Sequence, residues 1–205
     1  MAIERTSPAE TSSAGTVLTI GHSSHPLDVL LNLLQQHGVD LVIDVRSNPH
    51  SAYAPQFDKP RLEDALTAHR IDYEYLGDLL GGMPPEDEFY DGAGHVLYDR
   101  LAQSRRFQRG IEIVVGRLAA HRPALLCGEE DPAECHRRLL IARVLRERGV
   151  EARHIRGDGR IETEAQIRAR KTKGQGTLFD MQELEPWKST QSVSPKKAPP
   201  NSSPR

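Results

Sequence analysis

The chain has 205 residues, a formal net charge of −2 and 37% hydrophobic residues, enough for one ordinary domain with polar tails. The near-neutral charge excludes a polycation that would bind nucleic acid by charge alone, and the absence of an apolar run of about 18 residues excludes a membrane span. Residues 1–15 lack the apolar core of a signal peptide, so we expect a cytoplasmic protein whose two cysteines stay reduced.

Strand and helix patterns alternate along the middle of the chain. Apolar runs, helical periodicity and turn residues predict a strand at 17–20, a helix at 26–37, a strand at 41–45, a helix at 61–69 and a strand at 71–75. A loop follows at 77–95, and then a helix at 97–120 that is broken near Gly110. The last elements are a strand at 124–127, a helix to Arg148 and a strand at 151–155.

This alternation predicts an α/β fold, a single compact domain at 16–160 with a largely parallel sheet flanked by helices. Residues 1–15 are interpreted as a flexible arm. Residues 161–205 are interpreted as a tail, charged at first, with a short helix allowed at 162–173, and rich in Ser, Pro and Lys at its end. That composition predicts a disordered terminus.

The stretch LLCGEEDPAECHRR at 125–138 contains both cysteines. Asp131 stands at a helix N-cap, Pro132 at the first helical position, and Glu134 completes a capping box. We therefore expect Cys135, His136 and Arg137 in or near the first turn of that helix. The free N–H groups and positive dipole end of a first turn favour an anion or a thiolate.

Polar residues follow several of the predicted strands. In parallel sheets, ligands bind beyond the carboxyl ends of the strands, so we expect one site at this edge. It would collect Gly21, His22 and Ser23 after the first strand, Arg46 and Ser47 after the second, the loop at Gly81 and Gly82, and Cys127, Gly128, Glu129, Cys135, His136 and Arg137 around the fourth.

Five motifs in this order resemble a known bacterial and archaeal family, domain of unknown function 488. They are TIGHS at 19–23, DVRSNPHS at 44–51 followed by Phe57, LGG at 80–82 and LLCGEEDPAECHRRLLIA at 125–142, and the resemblance covers roughly 16–156. It implies a compact α/β domain and no established reaction, although some members carry DNA-repair labels. An arginine expected after Ser51 is replaced by Ala52 and Tyr53, so Arg61 or His50 would have to supply any anion contact it makes.

Cys135, His136 and Glu129 are the predicted catalytic residues. A thiol at a helix start could act as a nucleophile, with the imidazole or the carboxylate as acid or base. The alternative is a small buried thiol that packs the helix, and Cys127 is interpreted as core. No metal site is predicted, because no paired C-x-x-C motif occurs. Three histidines, His22, His50 and His136, could nevertheless converge in space. Any cofactor stays unknown.

An anion or phosphate site is predicted from six residues. Gly21, His22 and Ser23 would supply backbone donors from a glycine turn, Arg46 and Arg137 would supply cationic groups, and Ser47 completes the set. Two alternatives stay open. The turn at Gly21 could merely lead into a helix capped by Ser23 or Ser24, and Arg46 could form an internal salt bridge with Asp44 or Glu129.

The peptide QGTLF at 175–179 resembles the motif by which bacterial repair proteins and polymerases bind the sliding clamp. Gln175, Leu178 and Phe179 would be its anchors. Packing of these residues back onto the domain is the alternative. Three functions therefore remain open: an enzyme acting on a phosphate-bearing nucleotide or nucleic acid, a non-catalytic accessory module tethered to the clamp, and a domain whose polar cluster is only structural.

Overall fold

The computed structural model describes residues 15–51, 53–172 and 187–193. Within these residues, the strands follow the predicted order with helices between most of them, but a short helix, Gly77–Leu80, begins the segment 77–95 that the sequence predicts as a loop. The strands are β1 Thr16–Gly21, β2 Leu41–Asp44, β3 Asp72–Tyr75, β4 Pro123–Cys127, β5 Glu151–Ile155 and β6 Ile161–Thr163, and the helices are α1 Leu27–Gln36, α2 Lys59–Ala68, α3 Gly77–Leu80, α4 Tyr98–Gln103, α5 Arg105–Arg117, α6 Arg143–Glu147 and α7 Glu164–Thr172. A π-helix, Arg137–Ala142, leads into α6, and 3₁₀ turns occupy Pro55–Phe57, Asp87–Phe89 and Pro132–Glu134.

The described strands form one sheet in the order β3-β2-β4-β1-β5-β6. The first five strands in that order are parallel to their neighbours, and only β6 runs antiparallel, beside β5. The predicted α/β fold with a largely parallel sheet is therefore confirmed. Because β2, β4 and β1 are adjacent, the loops that follow them meet at one edge of the sheet.

Two apolar layers cover the two faces of the sheet. On one face α1 contributes Leu30, Leu31 and Leu34, the spacing of one helical stripe, which packs with α2 against Val42 and Leu126. On the other face Ile111 of α5 packs with the π-helix and α6. β2 and β4 are buried along their whole length, as strands covered on both faces must be.

The helical region after residue 97 breaks at Ser104, so the predicted break near Gly110 is wrong. Ser104 caps α5, since its hydroxyl oxygen accepts from the Phe107 N–H at 3.2 Å. Gly110 lies inside α5, where a Cβ would come within 2.7 Å of the Leu80 side chain. The glycine therefore permits close helix packing and does not end the helix.

The sheet extends beyond residue 160, into the segment that the sequence assigns to the tail. β6 pairs with β5, and α7 follows it. Residues 187–193 return to the domain, where Lys188 forms a β-bridge with Leu97 and the Ser189 N–H donates to the Val96 carbonyl at 2.9 Å. Residues 1–14 of the predicted arm and the peptide at 175–179 lie outside the described residues.

None of the helices in the described part of the chain is long and apolar enough to cross a membrane.

Candidate functional site

A pocket of about 500 Å³ opens at the carboxyl edge of the sheet. The loops after β1, β2 and β4 form its walls, together with the segment 187–193, which contributes Ser189, Thr190, Gln191 and Val193. The other lining residues are His22, Arg46, Ser47, Asn48, His50, Ser51, Gly82, Met83, Tyr98, Cys127, Gly128, Glu129, Asp131, Glu134 and His136.

The predicted catalytic residues converge at this pocket, and Cys127 joins them. The Cys127 and Cys135 thiols both donate to Glu129 Oε2, at 2.8 and 3.1 Å. His136 Nδ1 lies 3.5 Å from the sulfur of Cys127 and 3.8 Å from that of Cys135. The two thiols and the imidazole are buried, whereas Glu129 is exposed. The interpretation of Cys127 as core describes its burial but misses its place in the cluster.

The ring of His136 is held in one orientation. Its Nε2 lies 3.2 Å from the carbonyl oxygen of Val45, which can only accept, so Nε2 carries the proton and donates. In the neutral ring Nδ1 then carries a lone pair facing the sulfurs, and in the protonated ring it donates towards them. Gly82 packs against the other side of the ring, since a Cβ there would lie 2.6 Å from His136 Cγ. Only a residue without a side chain fits beside this imidazole.

Mutual contacts shift the pKa values of the cluster. The neighbouring Cys135 sulfur and burial raise the pKa of the Cys127 thiol well above its ordinary value. Although much of Glu129 is exposed, its Oε2 lies against the two thiols, and desolvation there would raise the pKa of Glu129; the two thiol donors outweigh it and lower that pKa to about 2. Burial alone would lower the pKa of His136, but Cys127 and Glu129 outweigh it and raise that pKa. The Glu129 carboxylate is therefore the charged acceptor for the two cysteine thiols.

The helix start in this region differs from the predicted one. Asp131 caps only a 3₁₀ turn, accepting from the Ala133 N–H at 2.9 Å. Cys135 is extended, and its carbonyl oxygen accepts from the N–H groups of Arg138 and Leu139 at the start of the next helix. The prediction of one helix beginning at Asp131 is therefore wrong. The extended residue turns the chain so that Cys135 lies just before the second helix start, against Glu129.

Arg137 is fully buried and does not line the pocket. Its guanidinium donates to two backbone carbonyls, those of Glu129 and, at 2.6 Å, Glu130. It thus fastens the loop that carries the carboxylate. Gly21 allows the same loop to approach β1, because a Cβ on Gly21 would lie only 1.7 Å from the backbone carbonyl oxygen of Glu129. These two residues of the predicted anion site hold the loop in the structure.

Arg46 forms the internal salt bridge that the sequence left open. Its Nη2 lies 2.6 Å from Asp44 Oδ2, and its Nε donates to both carboxylate oxygens. Burial alone would lower the pKa of Arg46, but the Asp44 carboxylate outweighs it and raises that pKa. The remaining donors reach the Phe57 carbonyl and His22 Nε2. The charge of Arg46 is therefore compensated at the pocket wall.

The amides after β1 also have internal partners. The His22 and Ser23 N–H groups donate to the carbonyls of Cys127 and Gly128, at 3.0 and 2.8 Å. The His22 side chain lines the pocket, and burial lowers its pKa. The Ser47 hydroxyl oxygen accepts from the Met83 N–H at 2.9 Å. α1 begins after Pro26 with no side-chain cap, so neither Ser23 nor Ser24 caps it.

The sequence carried one signal for the complete cluster. Cys127 and Glu129 stand two residues apart after a buried strand, and Cys135 and His136 are adjacent at a predicted helix start. Strand ends and helix starts face the same edge of a parallel sheet. Of the three histidines considered together, only His136 belongs to the group of potential metal ligands among the described residues.

The fold and the site define an α/β protein with a thiol-, carboxylate- and imidazole-bearing pocket at the carboxyl edge of its sheet. A family model described as domain of unknown function DUF488 matches residues 26–144, more than half of the chain. The chain belongs to this family. No curated protein and no solved structure matches the chain.

Proposed function

We propose that the protein is an enzyme that acts on a phosphate-bearing ligand in this pocket, a nucleotide or a nucleic-acid end. Its reactive groups are Cys135, His136 and Glu129, which lie beside Cys127. The observation that carries the proposal is the convergence of two buried thiols, an imidazole and a carboxylate at a pocket open to solvent. Perturbed ionisable groups that gather in a cleft are typical of active sites.

Two parts of the pocket support different tasks. The loop after β2 offers an amide, an imidazole and a hydroxyl, those of Asn48, His50 and Ser51. These groups suit a phosphate, since they can donate to its oxygens. The cluster at Glu129 lines the same pocket, so a ligand held by that loop would share the pocket with the reactive groups.

Binding tests the ligand class. We expect at least one nucleotide, sugar phosphate or 5′-phosphorylated oligonucleotide to raise the melting temperature, while its dephosphorylated counterpart does not. At 100 times its Kd, a ligand stabilises by about 2.7 kcal/mol. The double variant Asn48→Ala, His50→Ala should lose the shift, and His69→Ala, at an exposed position after α2, should keep it. Equal shifts from phosphorylated and dephosphorylated compounds would contradict the proposal.

Turnover tests the reactive groups. Mass spectrometry of the bound compounds should show a product with the native chain and none with Cys135→Ser, whose fold is checked by circular dichroism. A product formed equally well by both chains would remove Cys135 from the reaction.

The alternative function is a non-catalytic accessory module tethered to the sliding clamp. Contact with the clamp would associate the protein with DNA repair. It rests on the sequence pattern at 175–179, outside the described residues. A fluorescent peptide of residues 171–181 should then bind a bacterial clamp at micromolar Kd, about −8 kcal/mol. The variant Gln175→Ala, Leu178→Ala, Phe179→Ala should lose that binding, and a native peptide that does not bind would remove the alternative.

A further inference from the structure

The four side chains that converge in the pocket are all of metal-ligating types. Their donor atoms lie within 4.8 Å of one another. Zn²⁺ with bonds of about 2.0–2.3 Å keeps tetrahedral ligand atoms roughly 3.3–3.8 Å apart. His136 Nδ1 is already 3.5 and 3.8 Å from the two sulfurs. We propose that one zinc ion binds to Cys127, Glu129, Cys135 and His136.

The orientation of His136 supports a metal ligand. The Nε2–H group donates to the Val45 carbonyl at 3.2 Å, which leaves the Nδ1 lone pair directed at the cysteines. Metal-ligating histidines are oriented in this way, with the distal ring nitrogen donating to a carbonyl or a carboxylate.

The donors come from parts of the chain that are already fixed. Cys127 ends the buried strand β4, and Cys135 and His136 precede the π-helix. The loop between them is fastened by the Arg137 guanidinium at the carbonyls of Glu129 and Glu130. A site assembled before the ion arrives loses little conformational entropy on binding.

Thiolate and imidazole ligands favour Zn²⁺ over Mg²⁺ or Ca²⁺, which take oxygen ligands. Binding transfers two protons from the thiols to solvent, because the sulfurs ligate as thiolates. Cys127, Cys135 and His136 are exposed by only 4, 1 and 9%, whereas Glu129 is exposed. The first three are therefore the permanent ligands, and the Glu129 carboxylate is the ligand that a substrate or water can replace.

The inference concerns the site of the proposed enzyme and rests on that function only for its catalytic meaning: with the ion bound, Cys135 and His136 would serve the reaction as ligands of a Lewis acid and not as a free nucleophile and base. Metal binding itself is measured without turnover. The full chain is prepared metal-free under a reductant and titrated with Zn²⁺, and with Co²⁺ as a spectroscopic probe.

We expect one Zn²⁺ per chain by elemental analysis, a thiolate-to-cobalt charge-transfer band and the visible bands of tetrahedral Co²⁺. Zinc should also protect both cysteines from alkylation. Cys127→Ser, Cys135→Ser and His136→Gln should each weaken Zn²⁺ binding by more than the roughly 10–100-fold that the loss of an outer partner costs. Glu134→Gln is the matched control, because Glu134 lines the same pocket outside the cluster.

Three outcomes would overturn the proposal: a native chain that binds no Zn²⁺ at micromolar concentration, cobalt spectra without the charge-transfer band, or Zn²⁺ affinity equal in Glu134→Gln and Cys135→Ser. The cobalt spectrum of the native chain needs no variant, so a variant that fails to fold leaves the test intact. A chain that binds zinc but turns over no phosphate-bearing compound would contradict the proposed function alone.

Discussion

At the scale of single residues, the Asp44–Arg46 pair supports the wall of the pocket. Asp44 is fully buried and Arg46 is 6% exposed. The carboxylate also accepts from the Tyr73 hydroxyl at 2.8 Å, and burial, with Asp44 close by, raises the pKa of Tyr73. A buried pair of this kind is costly to break, because removing one partner leaves the other charge without compensation.

Asp44→Ala should therefore lower the free energy of unfolding by about 3–5 kcal/mol. Urea unfolding measures the loss. The double variant Asp44→Ala, Arg46→Met should be more stable than Asp44→Ala, since it removes the stranded cation. Arg153→Ala breaks an exposed pair with Glu151 and should cost less than about 1 kcal/mol. If Asp44→Ala lowered the free energy of unfolding by no more than the small loss expected for Arg153→Ala, the Asp44–Arg46 pair would have no structural role.

At the scale of elements, the segment 187–193 completes the pocket from the far end of the chain. Its hydrogen bonds join Ser189 to Val96 in both directions, each at 2.9 Å. The Trp187 ring lies 4.4 Å from the Arg143 guanidinium of α6, a cation–π contact. The segment is therefore held by a strand-like contact and by one aromatic anchor.

Trp187→Ala should release this segment while the sheet stays folded. The lost burial and cation–π contact should lower its local opening free energy by about 1–3 kcal/mol. Hydrogen exchange should then become faster at Ser189 and Val193, whose N–H groups donate to Val96 and Gly94. Tyr53→Ala is the control, because Tyr53 is 98% exposed. Unchanged exchange in Trp187→Ala would show that the anchor lies elsewhere.

At the scale of the whole molecule, stability in acid should depend on a buried histidine of β5, the strand beside the edge strand β6. His154 of β5 is fully buried, and its Nδ1 lies 2.8 Å from the Thr19 hydroxyl of β1. Burial, with the nearby charges of Arg137 and Arg138, lowers the pKa of His154 to about 3. The folded chain thus keeps this ring neutral at pH values where the unfolded chain protonates it.

Stability should therefore fall as the pH decreases from about 6.5 towards 3, since the unfolded state binds the extra proton throughout that range. The slope from this one group approaches about 1.4 kcal/mol per pH unit. Urea unfolding of the metal-free chain at pH 7.5, 6 and 5 measures it. His154→Gln should flatten the slope, and His69→Gln should not. The same slope in both variants would contradict the assignment to His154.

The predictable part of the structure was local. The buried runs at β2 and β4, the leucine stripe of α1 and the polar residues after each strand follow from hydrophobic periodicity and turn chemistry. Those patterns were enough for the α/β fold and for one edge where Glu129, Cys135 and His136 should meet. The break at Ser104 was missed, because the residue that packs closely, Gly110, carries the stronger helix-breaking signal.

The chain by itself thus determined the fold class, the edge that carries the pocket and three members of the cluster, because strand and helix signals act over a few residues. Tertiary structure alone decided that Cys127 joins the cluster, that Arg46 forms its salt bridge with Asp44, and that Arg137 donates to backbone carbonyls. It also decided that residues 187–193 line part of the pocket. These contacts depend on the order of the strands and on burial, which join residues that sequence spacing does not relate.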